Sequence, residues 1–412
     1  MGRIEVGMDD NSLSVLYYCG DRGLDLTKGE GFRIHVLKIL ENLDAQGHRP
    51  FLLTVNDEAT LPDFKDYTCV PHRYMRGVHH ALPYTGTLDS FALWRAARRL
   101  HRERRFDVIH ERFGLYSYGA ILTSRHLGIP LVLEVNGPSI EEKQLFTTPL
   151  AGAQLFVARA IRDQVARQAS RIVVVSNVLK QFLLKHWKGV HDDQIVVIPN
   201  AADVARLADL GDVTPLRTRM GLENALTIGF LGTFQPWYGL EKLIEAFAAV
   251  VPLVPQARLL MVGDGVAREG LERLAREKGV YDSIVFTGYI PHVQVPQYLG
   301  CFDIAVAAFR ELAIDFCGSP IKLFEYMAAG RPIVASRIGQ IPEIVTHERD
   351  ALLVAPGNVA ELADALVRLA RDASLRERLG AAARLTGRRY SWEAYVEQLV
   401  GVYRSAIQMD RQ

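Results

Sequence analysis

The sequence predicts an α/β protein made of two doubly wound parallel-sheet domains. Two observations carry that expectation. Both halves of the 412-residue chain alternate short apolar runs with longer amphipathic stretches, the pattern of buried parallel strands joined by crossover helices. Several of those runs end in glycine-containing turns, at Gly29 and Gly31, at Gly232, and at Gly263, each followed by a helical stretch. No internal repeat or low-complexity segment is visible.

Composition narrows the function. Hydrophobic residues at 49% and charged residues at 23% fit a soluble globular protein. A formal net charge of +1 implies no global polyanion partner, so nucleic acid is not expected. The four cysteines, Cys19, Cys69, Cys301 and Cys317, show no paired metal-ligand spacing and fit a reducing compartment. Residues 1–11 are polar and acidic rather than leader-like, and no apolar run reaches the length of a bilayer. Met1-Gly2 resembles a myristoylation start, but Val6 stands where Ser or Thr is required. A cytoplasmic location is expected.

In the first half, residues 12–19 read as a buried strand, 32–45 as a helix and 50–55 as the next strand. His35, one turn into that helix, either faces a ligand or fills packing space. Six arginines fall between Arg95 and Arg105, with Leu93, Ala97 and Leu100 on another face. That basic helix, residues 90–105, suits the inner face of an anionic membrane or an anionic acceptor; the alternative is an ordinary solvated face. Residues 106–112, 129–135, 171–176 and 194–200 read as further strands, with a helix over 178–187. In an open parallel sheet ligands bind at the carboxyl ends of strands, where Arg112, Glu134 and Asn136 fall. The alternative is that these three only cap strand ends. Glu141 and Glu142, just beyond, are candidates for acceptor contacts only.

A linker is expected over 204–222. Strands follow at 226–231, 258–262, 283–288, 303–307 and 351–354, with helices at 240–250, 360–371, 375–390 and 392–409. A short helix start is expected within 338–345. The stretch 317–335 is the centre of this half. Gly318 frees the backbone, Ser319 suits an N-cap, and Pro320 suits a first helical turn. Leu323, Phe324 and Met327 give a buried stripe, and Gly330 with Pro332 stops the helix before the apolar run 333–335. A helix start with open backbone N–H groups and Lys322 one turn in is suited to an anion. Glu325 lies three residues on, on about the same face. A diphosphate at Lys322 and ribose hydroxyls at Glu325 would fit a nucleotide. The alternative is a surface Lys–Glu pair.

This stretch resembles the donor-binding segment of the retaining GT-B glycosyltransferases of family 4, in the branch carrying Ser-Pro-x-Lys-Leu-Phe-Glu-Tyr-Met-Ala, which residues 319–328 match. The resemblance runs over nearly the whole chain. Residues 198–203 resemble the Pro-Asn-Gly-Val-Asp segment that closes the first domain in that family. The resemblance implies two Rossmann-like domains facing across a cleft, residues 1–204 and 220–390, with a last helix, 393–412, crossing back onto the first. It implies a nucleotide-sugar donor held by Gly232, Thr233, Tyr238, Gly263, Cys317, Gly318, Ser319, Ile321, Lys322 and Glu325. Backbone groups at Tyr289 and Ile290 would read the nucleobase. Gly29, Gly31, His35, Arg112, Glu134 and Asn136 would lie on the acceptor side. Asn136, Lys322 and Glu325 would be the residues closest to the chemistry.

Four positions depart from the family. Cys317 replaces the first Glu of its pair, Thr233 and Tyr238 replace an Arg and a Lys at the diphosphate, and Asn136 replaces a His. Asn136 can hydrogen-bond a sugar but cannot titrate. No Asp-x-Asp pair exists, so neither metal nor cofactor is expected, and the diphosphate charge falls to Lys322 and fixed dipoles. The expected activity is a retaining, metal-independent sugar transfer to a glycan, lipid-linked or small-molecule hydroxyl. The first three departures also leave open a nucleotide-sugar-binding protein without turnover. An epimerase or phosphorylase would use the same cleft, but no dense basic cluster for free phosphate is seen.

Overall fold

The computed structural model describes residues 11–20, 31–55, 66–69, 85–146, 149–312 and 314–411. The chain forms two compact units, residues 1–198 with 395–412, and residues 199–394.

The first unit is built on strands β1 (Ser14–Cys19), β2 (Arg49–Thr54), β3 (Tyr67–Cys69), β4 (Val108–Arg112), β5 (Leu131–Val135), β6 (Arg171–Val174) and β7 (Ile195–Val197). Their order is β3-β2-β1-β4-β5-β6-β7 and every pairing is parallel. All six residues of β1 are buried, as expected for a central strand covered on both faces. The order reverses direction at β1, so the carboxyl ends of β1 and β4 flank the switch point where open sheets bind ligands. The last helix, Trp392–Asp410, packs its later turns into this unit, where Tyr403 is fully buried.

The second unit repeats the plan with β8 (Leu226–Leu231), β9 (Ala257–Val262), β10 (Ile284–Phe286), β11 (Ile304–Ala307), β12 (Ile333–Ser336) and β13 (Leu352–Val354), ordered β10-β9-β8-β11-β12-β13, all parallel. Side chains alternate faces along each strand. Phe230, Met261 and Val306 join the cluster under helices Leu240–Val250 and Val359–Arg371. Leu260, Val262 and Ala305 join the one under helix Ile321–Ala328. Gly229 is required by packing, because a Cβ there would lie 2.1 Å from the Phe302 ring.

Strand 226–231 and helix 240–250 fall where the sequence places them. Most other elements differ by one to three residues at an end, the normal fraying of boundaries. The expected linker is instead structured. It holds helices Val204–Ala208, capped by Asp203, and Thr214–Arg219, with Pro215 in its first turn. Ser319 does not cap the central helix. That helix begins at Ile321, after an extended Pro320, with no side-chain cap, because the Ser319 hydroxyl is engaged elsewhere. Its end follows the expectation. Gly330 sits at φ +64°, Gly330 N–H donates to Met327 O at 2.9 Å and Arg331 N–H to Tyr326 O at 3.0 Å, which is a Schellman closure. No helix among the described residues is long and apolar enough to cross a membrane.

Candidate active site

In the second unit the expected donor residues gather at the carboxyl end of the sheet. The turns after β8 and β9 press together. Gly232 and Gly263 adopt φ +137° and +133°, and a Cβ at Gly263 would meet Gly232 O at 2.0 Å. Thr233 follows in the same turn, half-buried. A Cβ at Gly232 would lie 2.9 Å from Lys322 Nζ, so the missing side chain leaves space for the lysine head.

Lys322 is the distinctive group. Only 6% of it is exposed. Its Nζ lies 4.0 Å from the Phe230 ring centroid and 3.4 Å from that of Tyr238. Among the described residues Nζ has no hydrogen-bond partner. Burial drives its pKa well below the ordinary lysine value, only partly opposed by Glu325. The two rings stabilise a cation by their quadrupoles but supply no counter-charge. Tyr238 is thus an aromatic wall, its own hydroxyl pKa raised by burial.

One turn on, the buried Glu325 places Oε1 3.4 Å from Nε2 of His292. His292 was not singled out in the sequence; its signal was its place directly after Tyr289-Ile290-Pro291. The Arg206 guanidinium donates to His292 O at 3.3 Å and anchors that turn. Tyr289 is 63% exposed, whereas Ile290 packs partly against the core. The loop before the helix is held by Asn200, whose backbone N–H and Nδ2 donate to Ser319 Oγ (3.0 Å) and Ser319 O (2.7 Å). The Ser319 hydroxyl keeps its own hydrogen to donate. Gly318 leads into it, and Ile321 opens the helix half-buried. Cys317 is buried, its Sγ 3.4 Å from Asp315 O.

In the first unit the expected acceptor-side residues meet at one carboxylate. Glu134 is fully buried at the end of β5. Its Oε1 lies 2.6 Å from His35 Nε2 and 3.1 Å from Arg112 NH1, and also accepts from Asn136 Nδ2. Its Oε2 accepts from His110 Nε2 at 2.7 Å and from the Tyr17 hydroxyl at 3.1 Å. Burial raises the Glu134 pKa, but His35, His110 and Arg112 overcome it and hold the carboxyl well below the usual range. Burial pushes His35 down. With His110 Nε2–H turned to the carboxylate, Nδ1 accepts from Tyr403 of the last helix at 2.8 Å.

For Glu134 and His35, whose ligand-facing and internal readings both stood open, burial favours the internal one. Both are sealed, 0% and 2% exposed, because each is the other's internal partner. Asn136 is the member that remains part-exposed. Because the ionised Glu134 only accepts, it fixes the amide with its NH₂ inward and Oδ1 away from the carboxylate. Gly31 starts the helix Gly31–Ala45 that carries His35; Gly29 lies outside the described residues. Tyr17 in an apolar run, His110 inside a strand and Tyr403 in a helix were missed because none carries a local cue.

Two doubly wound sheets in this strand order correspond to the GT-B fold, and matches to two glycosyltransferase family models make the protein a glycosyltransferase. Residues 30–206 match the family described as Glycosyltransferase Family 4, and residues 225–372 match that described as Glycosyl transferases group 1. The chain is 27% identical over 333 residues to the alpha-D-kanosaminyltransferase of Streptomyces kanamyceticus, covering 78% of this chain and 84% of that one. It is 28% identical over 315 residues to the D-inositol 3-phosphate glycosyltransferase of Stackebrandtia nassauensis, covering 74% and 69%. Among solved structures, Anabaena HepE in complex with UDP and glucose superposes with a TM-score of 0.75 at 18% identity, covering 95% of this chain and 100% of that one. Sucrose-phosphate synthase from Thermosynechococcus elongatus gives 0.75 at 20% identity, covering 96% and 100%.

Proposed function

We propose that the protein is a retaining, metal-independent transferase that moves a sugar from a nucleoside-diphosphate sugar to an acceptor hydroxyl. The observation that carries this is the buried Lys322 Nζ without a partner among the described residues. A buried cationic group without a counter-anion is costly, and a diphosphate would supply the missing charge. Relatives named for sugar transfer and a structural neighbour crystallised with UDP-glucose support the donor class.

Lys322 and the Ser319 hydroxyl would take the diphosphate, Glu325 the ribose, and backbone groups at Tyr289 and Ile290 the base. Asn136 would accept from a hydroxyl of the sugar or acceptor, with Arg112 nearby. In the transfer, the anomeric carbon–oxygen bond to the diphosphate breaks as the bond to the acceptor oxygen forms on the same face. The acceptor proton passes to the leaving phosphate oxygen. The chain's contribution is charge stabilisation by Lys322 and positioning. The acceptor is a glycan, a lipid-linked sugar or a small molecule.

The test is a thermal-shift screen with UDP, GDP, ADP, CMP and dTDP, with and without EDTA, followed by NMR of the product anomer. Stabilisation by one nucleotide, indifferent to EDTA, and a product of unchanged anomeric configuration are expected. Loss of the shift in EDTA, or an inverted product, would overturn the corresponding part.

A further inference from the structure

The helix Thr85–Arg104 exposes one continuous stripe of a kind the donor chemistry does not use. Its outward positions are Leu88, Phe91, Arg95, Arg99 and Arg102, spaced by three or four residues and all exposed. The stripe changes character along its length. Leu88 and Phe91, 56% and 48% exposed, give an apolar first half, and the arginines give a cationic second half. Beside it, Phe91 and Trp94, with Leu122, Arg125 and His126 of the helix Gly119–Leu127, line a shallow cavity of about 400 Å³. Arg98 stacks 4.8 Å above the Trp94 ring and Arg95 lies 5.9 Å from that of Phe91. The helix has two carboxylates: Asp89 is buried, and Glu103 stands in the last turn among Arg102, Arg104 and Arg105.

We propose that this face docks on an anionic lipid bilayer, with Leu88, Phe91 and Trp94 entering the headgroup boundary and the arginines meeting lipid phosphates. Charge complementarity selects an anionic partner, and the exposed apolar end selects the bilayer. A soluble polyanion would leave Leu88 and Phe91 in water, whereas the headgroup boundary accepts both halves of the stripe. Aromatic rings with stacked guanidinium groups suit that boundary, having one apolar part and one wet part. The buried side of the helix is satisfied internally, since Leu93 and Ala97 are fully buried. The exposed stripe is therefore not needed for folding.

The experiment is vesicle flotation of the full chain with phosphatidylcholine vesicles, and with vesicles containing about one third phosphatidylglycerol. Binding only to the anionic vesicles is expected, weakening as salt rises from about 0.05 to about 0.5 M. The double variant Arg95→Glu/Arg99→Glu should lower partitioning about 25-fold or more. Leu88→Ser/Phe91→Ser should lower it about tenfold while keeping the salt dependence. Each variant should retain the parent's circular dichroism and its nucleotide thermal shift, which separates docking from folding and from the donor site. Brominated acyl chains should quench fluorescence in the parent and not in Trp94→Phe. Equal binding to neutral vesicles, no vesicle binding, insensitivity to both double variants, or capture by heparin without capture by vesicles would each overturn the proposal.

Discussion

Asn200 holds Ser319 at two points, its backbone N–H on the hydroxyl at 3.0 Å and its side-chain amide on the carbonyl at 2.7 Å. Two motifs far apart in the chain, the Pro-Asn segment and the Ser-Pro-x-Lys segment, thereby form one piece of structure. Asn200→Ala removes the side-chain bond and should destabilise the second unit by about 1–2 kcal/mol in urea unfolding. Ser319→Ala removes the other and should weaken nucleoside-diphosphate binding as well, since the hydroxyl is the proposed phosphate donor. Unchanged nucleotide affinity in Ser319→Ala would remove that hydroxyl from the site.

Lys322 should bind a proton when it binds the donor. Burial depresses its pKa in the empty protein, and an arriving diphosphate restores the charged form. Calorimetry of the preferred nucleoside diphosphate in two buffers of different ionisation heat should show proton uptake. Lys322→Met should abolish the uptake and cost about 1.5–3 kcal/mol of diphosphate affinity, while nucleoside affinity changes little. Identical heats in both buffers would mean that Lys322 is already charged.

Glu325→Ala should give the opposite division, weakening the nucleoside and its diphosphate alike by roughly tenfold. His292, 3.4 Å from the same carboxylate, should matter less. Equal nucleoside affinity for parent and Glu325→Ala, measured by calorimetry, would place the ribose elsewhere.

Glu111 gives a stability test with a defined sign. It is fully buried at the end of β4, receives one hydrogen bond from Ser117 at 2.7 Å, and its Oε2 has no partner among the described residues. Burial raises its pKa from 4.5 to about 8. Between those values the folded protein keeps a proton that the unfolded chain has released, so this contribution to stability falls as pH rises from about 4.5 to about 8. Glu111→Gln should raise the unfolding midpoint at pH 8 by several degrees and hardly move it at pH 5, as read by calorimetry.

Glu134 has the opposite sign. Its depressed pKa contributes stability above the ordinary carboxylate range, and that stability is lost as pH falls through the folded value. Glu134→Ala strands His35 and Arg112 in the interior and should cost about 3–5 kcal/mol. A loss below about 1 kcal/mol in chemical unfolding would mean that water replaces the carboxylate.

The readable parts of this chain were those governed by local pattern. The apolar run 226–231 and the amphipathic run 240–250 specify themselves, and Gly330 stops its helix by backbone freedom alone. Lys322 was recognisable by its place in a motif, but its burial against Phe230 and Tyr238 was not, because Phe230 comes from another strand and nothing local announces the contact. The helices at 204–208 and 214–219 were hidden by shortness. The Glu134 centre was legible only in His35, Arg112, Glu134 and Asn136, since Tyr17, His110 and Tyr403 come together through topology.

The bond from Tyr403 to His110 also orders events in time. The first unit includes residues 395–412, so its interior stays incomplete until these have been synthesised. The second unit, continuous over 199–394, has all its strands available earlier. The partner of His110 Nδ1 is thus synthesised after every strand of both sheets.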